Sequence, residues 1–413
     1  MVTKYDVFEV VYENRAPIRP TEVVKKLSKD EREYHVIHRN LRELVKEEVL
    51  IKKKSGFQAE TKDKANILYG IIKYCLKNGI NYNLILDRNF ARFISASLRK
   101  SEINSKNTKL NSRTLKNYIE ILDKYGLILI ISEKPIRGKL FYNILLNNLL
   151  VYFGYKHEVI TEEHINYMNE IKKEIHTYKK LKKINEQEYK KIVDKLKVSF
   201  AYHSLSLEGN PITLPETLKI LQEGIIPSNL KSKDVDELKN YKEAIAIMLK
   251  DSSERKPLSL QIVLDYHFLI MKHEPEIAGK IRKIQVHIKG NPNFKIVNYV
   301  DIQKRLELLF EKYNEFIRKN KVSIEEILKF AVFFHNEFQH IHPFEDGNSR
   351  TTRLITFYLL QSKGIPILDI PLGLLDEYMS YTKNSKKRED AKLYYNLQKI
   401  ILFNVKRINK ILS

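Results

Sequence analysis

The chain has 413 residues, with 73 Lys and Arg against 51 Asp and Glu, a formal net charge of +22 that favours an anionic partner. Hydrophobic residues make up 43%, enough for the cores of two or three domains. No apolar run approaches the ~20 residues of a membrane helix, the lone Cys75 excludes an internal disulfide, and Met1-Val2-Thr3-Lys4-Tyr5-Asp6 lacks a signal-peptide apolar region, so the expected location is cytoplasmic with no membrane partner.

Residues 1–57 read as a first module. Tyr5 to Tyr12 is a short amphipathic helix. Pro20-Thr21-Glu22 places a proline and an acid at a helix start, and Val23, Val24 and Leu27 follow as its core face. Tyr34 to Val45 is a third helix, with Ile37, Leu41 and Leu44 inward and His38, Arg39 and Arg42 outward. Val49-Leu50-Ile51 reads as a strand, followed by a turn through Lys52-Lys53-Lys54-Ser55-Gly56. Three helices and a basic hairpin resemble a winged helix-turn-helix. A small helical module that binds protein is the other reading of this pattern.

Residues 61–154 repeat that plan at greater length. Ile67 to Leu76 and Phe90 to Leu98 are helices, Cys75 sits in an apolar helical pattern as a buried thiol, and Ser112 to Lys124 is a third helix closed by Gly126. Leu127 to Ile131 reads as a strand, Pro135 to Lys139 as a turn, and Leu140 to Leu146 as the returning strand. This again resembles a winged helix. Arg113 and Lys116 fall on the exposed side of its third helix, and Arg137 and Lys139 at its wing tip. Residues 1–154 carry 29 Lys and Arg against 17 Asp and Glu, a net +12, which leaves +10 for the other 259 residues. That enrichment suits contacts to the phosphates of duplex DNA. Residues 155–196 are Lys-rich and lack glycine, and they read as a helical connector.

Ser204 to Glu208 is a helix-like run that stops at Gly209-Asn210-Pro211. Helices follow at about 231–250 and 259–271. Gly279 to Ile288 alternates, including Ile284, Gln285, Val286 and His287, and a turn follows at Lys289 to Asn293, which reads as a β-hairpin. His335 and His340 are five apart and read as packed or surface residues. Ile327, Phe330, Ala331, Phe334 and Phe338 recur at helical spacing, and so do Leu354, Ile355, Phe357, Leu359 and Leu360. Between them lies His342-Pro343-Phe344-Glu345-Asp346-Gly347-Asn348-Ser349-Arg350-Thr351-Thr352-Arg353, a tight loop that opens the second helix.

The residue types of this loop suit phosphate chemistry. His342 titrates near neutrality and can take a proton from a hydroxyl. Asp346 is a hard oxygen ligand for Mg²⁺, which arrives with phosphate oxygens. Gly347 lets the backbone turn tightly against a ligand, and Asn348 can donate to a phosphoryl oxygen. Arg350 and Arg353 lie three apart on the first helical turn, so both can reach one polyphosphate. The helix N-terminus is itself an anion site.

The loop resembles the Fic signature, His-x-Phe-x-(Asp/Glu)-Gly-Asn-(Gly/Lys)-Arg-x-x-Arg, through His342, Phe344, Asp346, Gly347, Asn348, Arg350 and Arg353. Ser349 departs from it. The resemblance implies a mainly α protein, in which residues 197–413 form a helical Fic catalytic domain with a small β-hairpin flap, behind two winged-helix modules. It implies transfer of AMP from ATP to a Ser, Thr or Tyr hydroxyl of a protein, itself included. His342 would be the base, Asp346 would hold Mg²⁺, and Gly347, Asn348, Ser349, Arg350 and Arg353 would bind the nucleotide. Phe344 would anchor the loop. Ser204, Glu208 and Gly209 resemble the family's inhibitory motif, whose Glu pairs with the second arginine, here Arg353. Residues 284–287 resemble its target-docking flap. Arg388, Tyr394 and Tyr395 resemble its C-terminal Arg…Tyr-Tyr pattern, with Tyr395 stacking on the base or packing in the core. A homo-oligomer is compatible with this reading. The rival reading is a DNA-binding regulator whose Fic domain senses nucleotide without transfer. A third is a Fic kinase, which would carry Lys in place of Ser349.

Overall fold

A computed structural model of the chain describes all residues except 1, 28–29, 101, 105–107, 109, 156–163, 289–290, 293, 320, 367 and 386. It divides into two units, Met1–Leu122 with Ser132–Thr161, and Asp123–Ile131 with Glu162–Ser413. Part of the expected turn at residues 289–293 lies outside the described residues. No helix among those described is long and apolar enough to cross a membrane.

The first unit begins with α1 (Lys4–Glu13), α2 (Pro20–Lys26) and α3 (Tyr34–Lys46), then the antiparallel pair β1 (Leu50–Lys53) and β2 (Gly56–Ala59). Thr3 caps α1 and exchanges hydrogen bonds with Asp6 in a capping box. Ile37, Leu41 and Leu44 are buried, as their spacing predicts. Arg39 and Arg42 are exposed, while His38 is half-buried, stacked on Tyr34 and edge-on to Phe57.

α4 (Asp63–Lys77), α5 (Tyr82–Ile85), α6 (Arg88–Leu98), β3 (Ile103–Asn104), α7 (Ser112–Lys124), β4 (Ile128–Glu133), β5 (Ile136–Leu140) and α8 (Ile144–Tyr152) follow. β3, β4 and β5 belong to one sheet of order β3-β5-β4. Two expectations are corrected here. Residues 136–140 are a strand and not a wing-tip turn, and Arg137 on it is held by Glu102. The apolar run that follows is a helix, because Asn143 accepts the Leu146 N–H as its N-cap. Cys75 is buried, and burial pushes its thiol up to about 12.

The second unit is helical from α9 (Met168–Ile184) and α10 (Glu186–Ser206) onward. The expected boundary at 196/197 falls inside α10. After α11 (Leu214–Leu218) come α12 (Ser232–Ser253), α13 (Leu260–Ile270), α14 (Ile302–Arg318), α15 (Ile324–Ile341), α16 (Asn348–Ser362), α17 (Leu375–Tyr381) and α18 (Asp390–Leu412). α16 is the central element. Its residues from Arg350 to Leu360 are all buried, and α10, α12, α13 and α15 pack around it. From Leu354 to Leu360 the helix is apolar on nearly every face, which suits the inside of a core.

The expected β-hairpin over residues 279–293 is not formed among the described residues. The described residues of the segment are irregular, with a bend at Lys283–Ile284 and a single bridge between Ile288 and Asn291. Carbonyls that a ladder would need are taken elsewhere, since the Arg282 guanidinium donates to Ile284 O at 2.8 Å and to Val297 O at 2.5 Å.

Candidate active site

The site is built where α15 ends and α16 begins. Ser323 and Glu326 open α15 with a capping box, and its apolar face carries the chain into the core as far as Ile341. His342 then adopts the left-handed conformation, with φ +50°. A bulky residue rarely does so. Arg282, 2% exposed, holds it there: its Nε donates to His342 O at 2.7 Å, and its backbone N–H to Pro343 O at 2.9 Å.

The rest of the loop is pinned in the same way. Phe344 is fully buried and stacks on His267 at 3.6 Å between ring centroids. His267 Nδ1 accepts the Gly279 N–H, so Nε2 carries the proton and donates to Asp346 O at 3.0 Å. Burial lowers the His267 pKa to about 4, so its ring is neutral. Asn348 spans the loop, accepting the Phe344 N–H and donating to Phe344 O. Its side chain therefore shapes the loop, whereas the sequence reading placed it on phosphate. Gly347 has φ +77°, and a Cβ there would meet Met271 Sδ at 2.9 Å and His267 Nε2 at 3.0 Å. Glycine is required by these neighbours as well as by the turn.

The polar ends of the loop are distinct. The His342 ring is buried, and Nδ1 has no hydrogen-bond partner among the described residues. Burial, reinforced by the Arg282 charge and opposed by the backbone of Gln339, lowers its pKa to about 4, so the imidazole is neutral at pH 7. Asp346 is exposed. Its Oδ1 accepts the Gly347 N–H and its Oδ2 lies 3.3 Å from Arg350 Nη2. α16 has no side-chain cap, and the N–H groups of Asn348, Ser349 and Arg350 make no hydrogen bond to another described residue. A free helix N-terminus of this kind attracts anions.

Both arginines are already engaged. Arg350, 3% exposed, pairs with Glu237 on α12, and Glu237 Oε2 also accepts Asn210 Nδ2 at 2.7 Å. Arg353, 2% exposed, donates from Nε to Ser204 Oγ at 2.7 Å, and from Nη2 to Ser204 O and Glu208 Oε1, both at 2.9 Å. The Ser204 hydroxyl donates to the Tyr241 hydroxyl, which in turn donates to Arg350 O. The other Glu208 oxygen, Oε2, accepts from Lys383 Nζ at 2.8 Å. Burial opposes ionisation of Glu208, but the charges of Arg353 and Lys383 outweigh it and hold the carboxyl at about 2.

Behind Arg353 lies Tyr378, which donates to His335 Nε2 at 2.8 Å. His335 Nδ1–H in turn bonds Asn336 Oδ1, and Asn336 Nδ2 bonds Asp390. His335 is thus a packed residue, neutral through burial.

The structure therefore brings His342, Asp346, Gly347, Asn348, Ser349, Arg350 and Arg353 together with Ser204 and Glu208. Gly209, with φ +95°, lies three residues beyond the end of α10. Residues 284–287 pass beside the loop through Arg282, with Ile284 54% exposed. Tyr395 is not brought to the loop. Its ring stacks on His164 at 4.9 Å and meets Tyr394 edge-on. Arg388 pairs with Glu337 and Asp390. Sequence reasoning missed Glu237, Tyr241, His267, Tyr378 and Lys383, and it placed Arg282 in a strand. None of them lies in the loop, and only packing reveals them.

Comparison with known proteins agrees with this architecture. Residues 257–360 match the Fic/DOC family. A protein adenylyltransferase Fic of Drosophila erecta is 27% identical over 185 residues, 44% of this chain and 36% of that protein. The protein of the same name from Drosophila melanogaster is 26% identical over 185 residues, again 44% of this chain and 36% of that one. The chain thus spans about a third of the length of the curated relatives it matches. A Fic domain containing signaling protein from Bacteroides thetaiotaomicron VPI-5482 shares the fold, with a TM-score of 0.51 and 22% identity over 59% of this chain and 97% of that one. A loop fixed between two buried helices, a neutral histidine at its start and two buried arginines beyond it are what residues 257–360 contribute, and this chain carries a Fic domain there.

Proposed function

We propose that the chain is a protein adenylyltransferase, moving AMP from ATP to a Ser, Thr or Tyr hydroxyl of a protein, itself included, and that Glu208 restrains this activity. The observation that carries the reading is the pairing of a buried, neutral His342 with an uncapped α16 N-terminus on one loop. A base and an anion cradle are the two parts that nucleotidyl transfer demands of a protein. The names of the Drosophila relatives support the same reaction.

In this mechanism His342 removes the hydroxyl proton. The oxygen attacks the α-phosphorus of ATP, a new P–O bond forms, the bond to the β-phosphate bridging oxygen breaks, and pyrophosphate leaves. The free N–H groups of α16 stabilise charge on the phosphates, and Arg350 draws the leaving group. Polyphosphate charge beside His342 raises its pKa from about 4 toward neutrality, which makes it a stronger base once the nucleotide is bound.

Mg²⁺ fits the donor set in one way. Asp346 is an exposed carboxylate at the cradle, and no group of three or more His, Cys, Asp or Glu residues that could hold a metal occurs among the described residues. A lone carboxylate suits an ion that arrives with the nucleotide's phosphate oxygens, where it would neutralise their charge.

Glu208 restrains transfer by occupying Arg353, so that ATP cannot place its terminal phosphate there. The test is incubation with ATP labelled at the α-phosphate. Label on protein, lost in His342→Ala, is expected. Nucleotide binding without label would favour the sensor, and label from the γ-phosphate alone would favour a kinase.

DNA binding by residues 1–154 is a second element of the reading. It is favoured by exposed Arg39 and Arg42 on α3 beside exposed Lys52, Lys53 and Lys54 on the β1–β2 hairpin. Affinity for duplex DNA should fall steeply with salt. A full chain that binds no duplex at low salt would leave only protein docking.

A further inference from the structure

We propose that Lys383 is a nucleotide-binding residue: together with Arg353 it forms a two-cation seat for the terminal phosphoryl group, a seat that the Glu208 carboxylate fills in the restrained form. The inference rests on the adenylyltransferase reading above, in which Glu208 yields to ATP.

The geometry divides the carboxylate between two cations. Oε1 faces Arg353 Nη2 at 2.9 Å and Oε2 faces Lys383 Nζ at 2.8 Å. Their side chains are 2% and 19% exposed, so water screens them poorly. A single carboxylate neutralises only one of the two positive charges. When Glu208 leaves, both stand uncompensated in one place. A terminal phosphoryl group carries roughly two negative charges on three oxygens, so it can satisfy both cations at once. The two are suited to share it: the planar guanidinium forks around oxygens, and the ammonium acts as a compact point charge.

Lys383 also differs from a surface lysine in how it is held. Its carbonyl and that of Ser385 accept Asn291 Nδ2, at 3.0 and 2.6 Å, and Asn384 N–H bonds Met379 O at 2.9 Å. The side chain therefore reaches the seat from an anchored turn. An exposed Lys–Glu pair is worth little, because it must order two free side chains in water. Here most of that ordering is already in place. Asn291 belongs to the segment that follows residues 284–287, so the same turn links that segment to the phosphate seat.

The test is calorimetric titration of ATP and of AMP, with Mg²⁺, into the full chain carrying Glu208→Gly, with and without Lys383→Met. Methionine keeps most of the apolar stem and the backbone carbonyl but removes the charge. Lys383→Met should weaken ATP about tenfold and leave AMP unchanged, and Lys383→Arg should retain most of the ATP affinity. Unchanged ATP affinity, or an equal loss for AMP, would overturn the inference while leaving the enzyme reading intact. If Glu208→Gly neither binds ATP more tightly than the unsubstituted chain nor labels protein, the enzyme reading fails and this inference with it.

Discussion

Glu208 Oε1 lies 2.9 Å from Arg353 Nη2, across a sequence separation of 145 residues, and both groups are almost out of water. A buried pair of this kind is costly to break on one side, because the survivor is left uncompensated. In Glu208→Gly the survivors are Arg353 and Lys383, and ATP can supply the missing charge. Transfer, self-modification included, should rise at least about tenfold, roughly 1.4 kcal/mol of barrier. Adding His342→Ala should silence it. Arg353→Ala should not mimic activation, since it removes the phosphate contact along with the inhibitory partner. Equal rates for wild type and Glu208→Gly in the α-label assay would refute the restraint.

Acid should not release the restraint in the working range. The Glu208 carboxyl is held at about 2, below its ordinary value of 4.5. A depressed carboxyl contributes stability that is fully present above its unfolded pKa and is lost as pH falls from there through the folded value. The window for losing the pair is therefore roughly pH 4.5 down to 2. Wild-type transfer should stay low from pH 8 to pH 5.5 relative to Glu208→Gly, and Glu208→Gln should be active across that range. A wild-type rate that climbed to the Glu208→Gln level by pH 5.5 would contradict this.

Glu237 makes a second hold on the site. It pairs with Arg350 and accepts from Asn210, one residue beyond Gly209. Glu237→Gln leaves buried Arg350 with only the exposed carboxylate of Asp346, 3.3 Å away, so the free protein should melt at a lower temperature. ATP then contributes more, because it brings the charge that Arg350 lacks, and a ligand that binds only the folded state raises its stability. In the Glu208→Gly background, the ATP-induced rise in Tm should be larger with Glu237→Gln than without it. An identical rise would mean that Arg350 does not meet the nucleotide.

The loop was legible in the sequence because its chemistry is contiguous. His342, Asp346, Gly347, Arg350 and Arg353 are local, and the apolar spacing on either side sets two helices around them. Glu208 was legible only by resemblance, since a Glu before Gly-Asn-Pro is otherwise a helix end. Lys383 was hidden among nearby Lys387 and Arg388, where charge usually means a solvated face. Alternation over residues 279–288 suggested a strand. Period two reports an extended backbone, and it cannot report that Arg282 takes the carbonyls a partner strand would need. Residues 144–146, read as the end of the returning strand, open a helix for a related reason. A short apolar run suits strand or helix, and the Asn143 cap decides it. For Asn348 the structure adds a role that the sequence did not suggest, since its amide exchanges hydrogen bonds with the Phe344 backbone.

Arg282 gives the last prediction. Its guanidinium donates to His342 O, Ile284 O and Val297 O, and no carboxylate pairs with it among the described residues. It therefore acts as a donor hub for carbonyls from three chain segments. Arg282→Met keeps much of the apolar stem but leaves those carbonyls without their donor. Each buried acceptor left unsatisfied costs about 1–3 kcal/mol, so total destabilisation should be several kcal/mol, with water recovering part of it at exposed Ile284. The consequence for chemistry is more specific. His342 holds a left-handed backbone, and the bond from Arg282 Nε to its carbonyl fixes the direction in which the ring leaves the loop. Loss of that bond should displace the base while leaving the α16 N–H groups and Arg353 in place. Mispositioning of ~1 Å can cost about a hundredfold in rate. In the Glu208→Gly background, Arg282→Met should thus lower kcat by roughly that factor, and calorimetric ATP affinity should change little. Arg282→Lys restores at most one or two of the donors, because an ammonium cannot span three carbonyls as the planar fork does. It should recover stability better than rate. A variant that lost ATP affinity and kcat in equal measure would show that Arg282 supports the whole domain and has no particular hold on His342.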